Sequence, residues 1–263
     1  MSVSGVVAKE QANLPESKFV EVASPPSIKC EDISGMVKNG SEVSISVVLT
    51  NFSKEIEGDK SKLFFHSDLG DPVWGISIDG SPKECSSPFT IDHKKVGEAR
   101  ITLTGKAPEV NKRKENVTVL NITQETTEGK YWVVDIKRDV TSEIIEDALN
   151  AWHKAKEEIE SANWTIANAT KAGIGVEESE RAFKLANEHL NNSLDFYNSD
   201  RPEEALKEAE LASAFAEDAK KLAEGAKTTR RIRDYSVLAA VVIIAVVVFV
   251  FLIRQRRKKR GIY

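Results

Sequence analysis

Cysteine is scarce in this chain, with only Cys30 and Cys85 among 263 residues, and the two are too far apart in sequence to form a close metal-binding or redox pair. Aromatic residues are few at 7%, and the formal net charge is -4, so the basic, aromatic-studded face of a nucleic-acid binder is absent. The four histidines, His66, His93, His153 and His189, are scattered, and no two lie four apart on a helix as zinc ligands would. No glycine-rich phosphate loop, Gly-x-Ser-x-Gly elbow or Cys/His nucleophile arrangement occurs. These absences point to a non-enzymatic chain with no metal and no cofactor.

Long apolar runs are also missing, with one exception at the C-terminal end. Val237 to Ile253 carries no charge and no proline, and Arg254, Arg256, Arg257, Lys258, Lys259 and Arg260 follow at once. Seventeen residues at about 1.5 Å each give roughly 25 Å of helix, close to the minimum for crossing a bilayer core. The run therefore predicts a transmembrane helix over 235–253. The six cations after it serve as the topology signal that keeps residues 254–263 cytoplasmic, and they also suit contact with anionic lipid.

A second pattern supports that orientation. Asn-x-Ser/Thr sequons stand at Asn39, Asn51, Asn116, Asn121, Asn163, Asn168 and Asn191, all upstream of the apolar run. Chance placement of 13 Asn against 23 Ser and 13 Thr predicts only about two, and each is an N-glycosylation acceptor only if translocated and exposed. Residues 1 to about 235 are thus expected outside a plasma membrane, as a single-pass glycoprotein. Met1 to Gln11 contains no apolar signal-peptide core, but Ser4-Gly5-Val6-Val7-Ala8 resembles the small-residue end of a cleavage site. The competing reading is a tail-anchored cytosolic adaptor, which leaves the sequon excess unexplained.

Five segments are expected along the chain. Residues 1–26 are polar, end in Ser24-Pro25-Pro26, and read as a flexible lead. Residues 27–139 read as an antiparallel β-sandwich of about seven strands. Val43, Ile45, Val47 and Leu49 alternate with polar neighbours, as do Ala99, Ile101 and Leu103, and turns such as Lys38-Asn39-Gly40 separate the strands. A disulfide between Cys30 and Cys85 would close a loop of about 55 residues and contribute about 3–4 kcal/mol in an oxidising exterior; two buried thiols are the alternative. Asp68, Asp71 and Asp79 lie in sandwich loops, where a turn-forming role is preferred over calcium binding.

Residues 140–234 change to helical periodicity. Ile145, Ala148, Trp152, Ala155, Ile159, Ala162, Ile166 and Ala169 keep a 3-4 spacing, with large residues alternating with alanine. Gly173 and Gly175 stop that helix, and Val176, Phe183, Ala186, Leu190, Ser193 and Tyr197 mark a second. Asp200 and Glu203 read as a capping box with Pro202 in the first turn of a third, whose stripe is Ala212, Phe215, Ala219, Leu222 and Ala226. Short connections make these an antiparallel three-helix bundle or coiled-coil stalk, and the first seam could instead pair with another copy as a homo-oligomer. Residues 235–253 and 254–263, the transmembrane helix and basic tail, complete the expected class: α+β multidomain, with an immunoglobulin-like sandwich, a helical stalk and one membrane helix.

The sandwich resembles immunoglobulin-like and fibronectin-III-like cell-surface modules. The whole organisation resembles archaeal membrane-anchored surface proteins, including S-layer stalk subunits that carry β-domains on a helical coil above a C-terminal membrane helix. That resemblance implies a structural anchoring or protein-protein interaction role, with lipid bilayer and a protein partner at the surface. An accessory subunit of a translocon- or glycosylation-associated membrane complex has similar parts and is the alternative.

Overall fold

The structure, a computed structural model, describes residues 14–226 and 228, and divides between Glu146 and Asp147 into two compact units. Among the described residues the first unit contains strands β1 (Glu21–Val22), β2 (Ser27–Lys29), β3 (Asp32–Ile33), β4 (Met36–Lys38), β5 (Glu42–Thr50), β6 (Lys60–His66), β7 (Gly70–Ile78), β8 (Ser81–Lys83), β9 (Phe89–Asp92), β10 (Ala99–Lys106), β11 (Lys114–Glu125) and β12 (Lys130–Thr141). One sheet runs β1-β5-β10-β7-β8, with β2 also on β5, and the other runs β3-β4-β12-β11-β6-β9.

The period-two pattern produces the core directly. Val43, Ile45, Val47 and Leu49 of β5 are each at most 1% exposed, and β10 sets Ile101 opposite Val47 and Leu103 opposite Ile45. From the other sheet, Val117, Val119, Leu120 and Ile122 of β11 join the same cluster. Val119 and Leu120 are neighbours in sequence and yet both buried, because the β11–β12 register slips between Thr118 and Leu120. A bulge there turns an extra side chain inward, which strict alternation forbids.

Two features of the sandwich differ from the expectation. The pairing is not wholly antiparallel, since β4 runs parallel to β12 with Val37 opposite Val140. Residues 14–26 are also part of the fold instead of a lead. Phe19 and Val20 are each 4% exposed, Ser17 N–H donates to Trp132 O at 2.8 Å, and β1 pairs with β5. The Pro25-Pro26 step ends that segment without freeing it, because its apolar side chains find the core first.

The disulfide is corrected too. Cys30 and Cys85 are both free thiols, half-buried at the edge of the core. Cys30 follows β2 and Cys85 follows β8, which are separated in one sheet by β5, β10 and β7. Four strand spacings come to about 19 Å, while a disulfide needs Cα atoms within about 7 Å. Burial pushes the Cys85 thiol above its ordinary pKa.

The helices are α1 (Glu143–Lys171), α2 (Glu177–Asn198) and α3 (residues 202–226). Gly173, at φ +66°, closes α1: Ile174 N–H reaches Ala169 O and Gly173 N–H reaches Thr170 O, the paired bonds of a left-handed helix stop. Asp200, at φ +60°, performs the same service at the end of α2, where Arg201 N–H donates to Phe196 O. At the start of α3 the Arg201 carbonyl accepts from Ala205 N–H and its guanidinium binds Glu204.

Within the second unit, late residues of α1 (Ala162, Ile166, Ala169) pack with Val176 just before α2, and with Ala219 and Ala223 late in α3. The α3 stripe is Ala205, Ala209, Ala212, Ala216, Ala219 and Ala223, each at most 1% exposed, while Leu222 is 39% exposed. The expected stripe through Phe215 and Leu222 was displaced because alanine permits a closer helix approach, leaving the larger residues at its margins.

These observations correct the expected fold class. The described residues form a β-rich, sandwich-like domain with three helices, and no helix among them is long and apolar enough to cross a membrane. The helices have the length, but α1 carries charge along its whole course, from Glu143 to Lys171. Their apolar faces are spent on one another. The run 235–253 and the tail with Arg254, Arg256, Arg257, Lys258, Lys259 and Arg260 lie outside the described residues.

The alternation on β10 makes a measurable prediction. Leu103→Ala removes a side chain that is 1% exposed and should destabilise the sandwich by about 2–5 kcal/mol. Its exposed neighbour Thr102 should tolerate Thr102→Ala to within about 0.5 kcal/mol. Urea unfolding of the two variants measures both.

Candidate functional site

The most concentrated polar chemistry in the first unit is buried. Ser61 on β6, His93 just after β9 and Gln124 on β11 are respectively 3%, 1% and 0% exposed. Each takes an inward position two residues from an inward apolar one: Leu63, Ile91 and Ile122. His93 Nδ1 stands 3.0 Å from the carbonyl of Ser53 and Nε2 stands 2.8 Å from Ser61 Oγ. A carbonyl only accepts, so Nδ1 carries the proton and Nε2 accepts from the Ser61 hydroxyl. Gln124 Nε2 donates to Ser61 Oγ at 2.8 Å, and Ser17 Oγ donates to Gln124 Oε1.

A Ser Oγ on a His Nε2 is also the geometry of a nucleophile and its base. Here neither group reaches solvent, so the arrangement ties β6, the β9 end, β11 and the N-terminal segment together as a satisfied polar knot. Burial pushes the His93 imidazole below its ordinary value of 6.5, partly offset by the Ser53 hydrogen bond and the Asp92 charge. Phe52 meets the ring edge-on at 5.4 Å between centroids. The knot was legible as polar residues on inward positions of three separate strands, but nothing local joins those strands.

A second knot secures the start of α1. Glu146 is 5% exposed; Arg113 donates to it through Nε at 2.7 Å and also through Nη2, and Thr141 Oγ1 donates at 2.6 Å. The Arg113 hydrogen bonds hold the Glu146 carboxyl below its ordinary range. In the helices, His189 Nδ1 lies 2.7 Å from Glu208 Oε2 and its ring stacks on Phe215.

The sequon asparagines are dispersed. Asn51 directly follows β5 at φ +53°, Asn116 lies in β11 at φ +56° where the register with β12 shifts, and Asn39 lies beside Gly40 at φ +66°. Asn51, Asn116, Asn163 and Asn191 are exposed, while Asn39 and Asn168 are half-buried. Asn121 departs from the group: on β11, between β12 and β6, it is 5% exposed and donates to Asp135 at 3.2 Å. A glycan has no room there in the folded chain. Two of the three aspartates, Asp79 and Asp68, act as backbone caps, while Asp71 lies at the start of β7 at φ +49°. Asp79 Oδ1 accepts from Gly97 and Glu98 N–H, and Asp68 Oδ2 from Thr118 N–H. Among the described residues no group of three His, Cys, Asp or Glu side chains is placed to hold a metal ion.

No family model matches the chain, and no curated protein matches it. Among solved structures, a conjugative transposon lipoprotein from Bacteroides eggerthii DSM 20697 aligns over 46% of this chain and 100% of its own, at 12% identity. Its TM-score is 0.24. A likeness that slight carries no argument about fold or role.

The His93 knot predicts a pH dependence. Its folded pKa is depressed, so the stability it contributes is complete above about pH 6.5 and declines as pH falls toward the folded value, because the unfolded chain binds the proton first. Urea midpoints taken between about pH 7.5 and 5 should fall with acidification, with a slope of at most about 1.4 kcal/mol per pH unit from this one group. His93→Gln should remove that component.

Proposed function

We propose that this chain is a non-enzymatic, membrane-associated surface protein whose β-rich domain and helices serve structural anchoring or protein-protein contact. The observation that carries the reading is the sequon pattern: seven acceptor motifs, all upstream of the one long apolar run. Four of those asparagines, Asn51, Asn116, Asn163 and Asn191, are exposed, where an attached glycan projects into solvent. The basic cluster after the apolar run supports membrane association, since cations close to an apolar segment favour the anionic cytoplasmic leaflet. A binding role agrees with the Ser61–His93 pair being sealed from any substrate. The partner in this reading is another protein at the surface.

Glycopeptide mass spectrometry on protein from its native membrane tests the proposal. Occupancy is expected at Asn51, Asn116, Asn163 and Asn191, with Asn121 bare because it is sealed between strands. Seven bare asparagines would overturn the external location and return the chain to the cytosolic side.

A further inference from the structure

The interior of the helical unit takes small residues, and larger apolar side chains are left outside it. The sealed positions of α2 are Ser179, Ala186 and Ser193, and those of α3 are alanines. Leu185 of α2 and Leu222 of α3 stay 40% and 39% exposed. Both line one groove of about 640 Å³ between the two helices. These helices run antiparallel, since Val176 packs with Ala223, Ala186 packs with Ala216, and Ser193 bonds Ala205.

Each helix gives the groove a single face. Glu178, Ala182 and Leu185 line it from α2 at steps of four and three, and Phe215, Asp218 and Leu222 line it from α3 at steps of three and four. The lining extends from Glu178 to Leu185 and from Phe215 to Ala226. At about 1.5 Å per residue these stretches are roughly 10 and 16 Å long, room for two to three turns of a further helix.

The charges on the groove choose among occupants. Glu178 and Asp218 make no ion pair and no side-chain hydrogen bond among the described residues. Lys221, the one cation in the lining, is held by Glu217 at 2.8 Å. The uncommitted charge is therefore acidic. A second copy on a two-fold axis would set this rim against itself, and an anionic lipid surface would be repelled by it. A helix with leucine-type anchors and flanking Lys or Arg satisfies both the apolar lining and the carboxylates.

The geometry points to the α2–α3 groove as a docking site for a short basic amphipathic helix of another protein. Its apolar face covers Leu185, Phe215 and Leu222, its cations meet Glu178 and Asp218, and it becomes a fourth helix on the three-helix unit. The inference rests on the protein-contact reading above and supplies the partner's chemistry. Bare asparagines would move the chain across the membrane without touching the groove, and a groove that binds nothing would leave glycan occupancy as it is.

The test is fluorescence anisotropy of a labelled peptide of about 14 residues, with Leu recurring at i, i+3, i+4 and i+7 and Lys or Ala elsewhere. It is titrated with the 263-residue chain in neutral detergent, empty micelles being subtracted. Saturable binding is expected, and the same peptide with Glu in place of Lys should bind at least about tenfold more weakly. Leu185→Ser and Leu222→Ser should each weaken binding by about fivefold or more. Leu194→Ser, at a leucine that is 42% exposed but outside the groove, should change nothing. Glu178→Lys combined with Asp218→Lys should reverse the preference between the two peptides, with far-UV circular dichroism checking that the helices remain. No saturable binding, or equal loss from all three leucine variants, would overturn the site. Equal affinity for the two peptides would overturn recognition by charge, and a dimer of the chain that Leu222→Ser splits would assign the groove to a second copy instead.

Discussion

The contact between β5 and β10 governs the first unit. Val47 opposite Ile101 and Ile45 opposite Leu103 fix a register in which every inward side chain of both strands is sealed. A slip by one residue would place Ser44, Ser46, Arg100 and Thr102 inside, so the pairing is specified by what it would otherwise bury. The remaining strands follow from that surface. β7 continues it on the other side of β10, setting Ile76 opposite Ile101, and the second sheet covers it with β11 and β12. Gly105 belongs to the same constraint: a Cβ there would lie 2.9 Å from Leu69 Cβ, so only glycine lets the chain approaching β7 pass so close.

Polar residues in this core are placed by a different rule. Ser61, His93 and Gln124 sit where apolar side chains would satisfy the pattern, and they are tolerated because each bond has a partner. Such a knot adds direction to a core otherwise held by non-directional burial. It ties strands separated by 32 and 63 positions in the chain. Glu146 and Arg113 act similarly at the first turn of α1, where a bidentate pair is completed by Thr141. The Ser61–His93 pair has the outline of a nucleophile and its base, but both groups are sealed from solvent.

The helices rely on smallness instead of bulk. Six alanines along α3 are essentially sealed, and Ser193 approaches closely enough to bond the Ala205 carbonyl. Close packing by alanine leaves little volume in the seam itself. The larger side chains, Leu185, Leu194 and Leu222, are left 39–42% exposed at the edges. A helical unit of this kind spends its apolar surface internally while keeping an apolar fringe for contact.

The sequence by itself determined the local periods: which residues of β5 and β10 face inward, where α1 stops at Gly173, and where sequons and charges cluster. Those signals are local, carried by neighbours two, three or four positions apart, and no folding partner is needed to read them. Tertiary structure decided everything that depends on a distant partner. It paired β4 parallel to β12, drew Phe19 and Val20 into the core, and set Cys30 and Cys85 at opposite edges of one sheet. It sealed Asn121 beneath its neighbours, moved the α3 stripe onto alanine, and joined Ser61, His93 and Gln124. Periodicity states which face of an element is apolar, but only the mutual fit of those faces decides which of them meet, since the free energy of burial is the same whichever apolar surface does the covering.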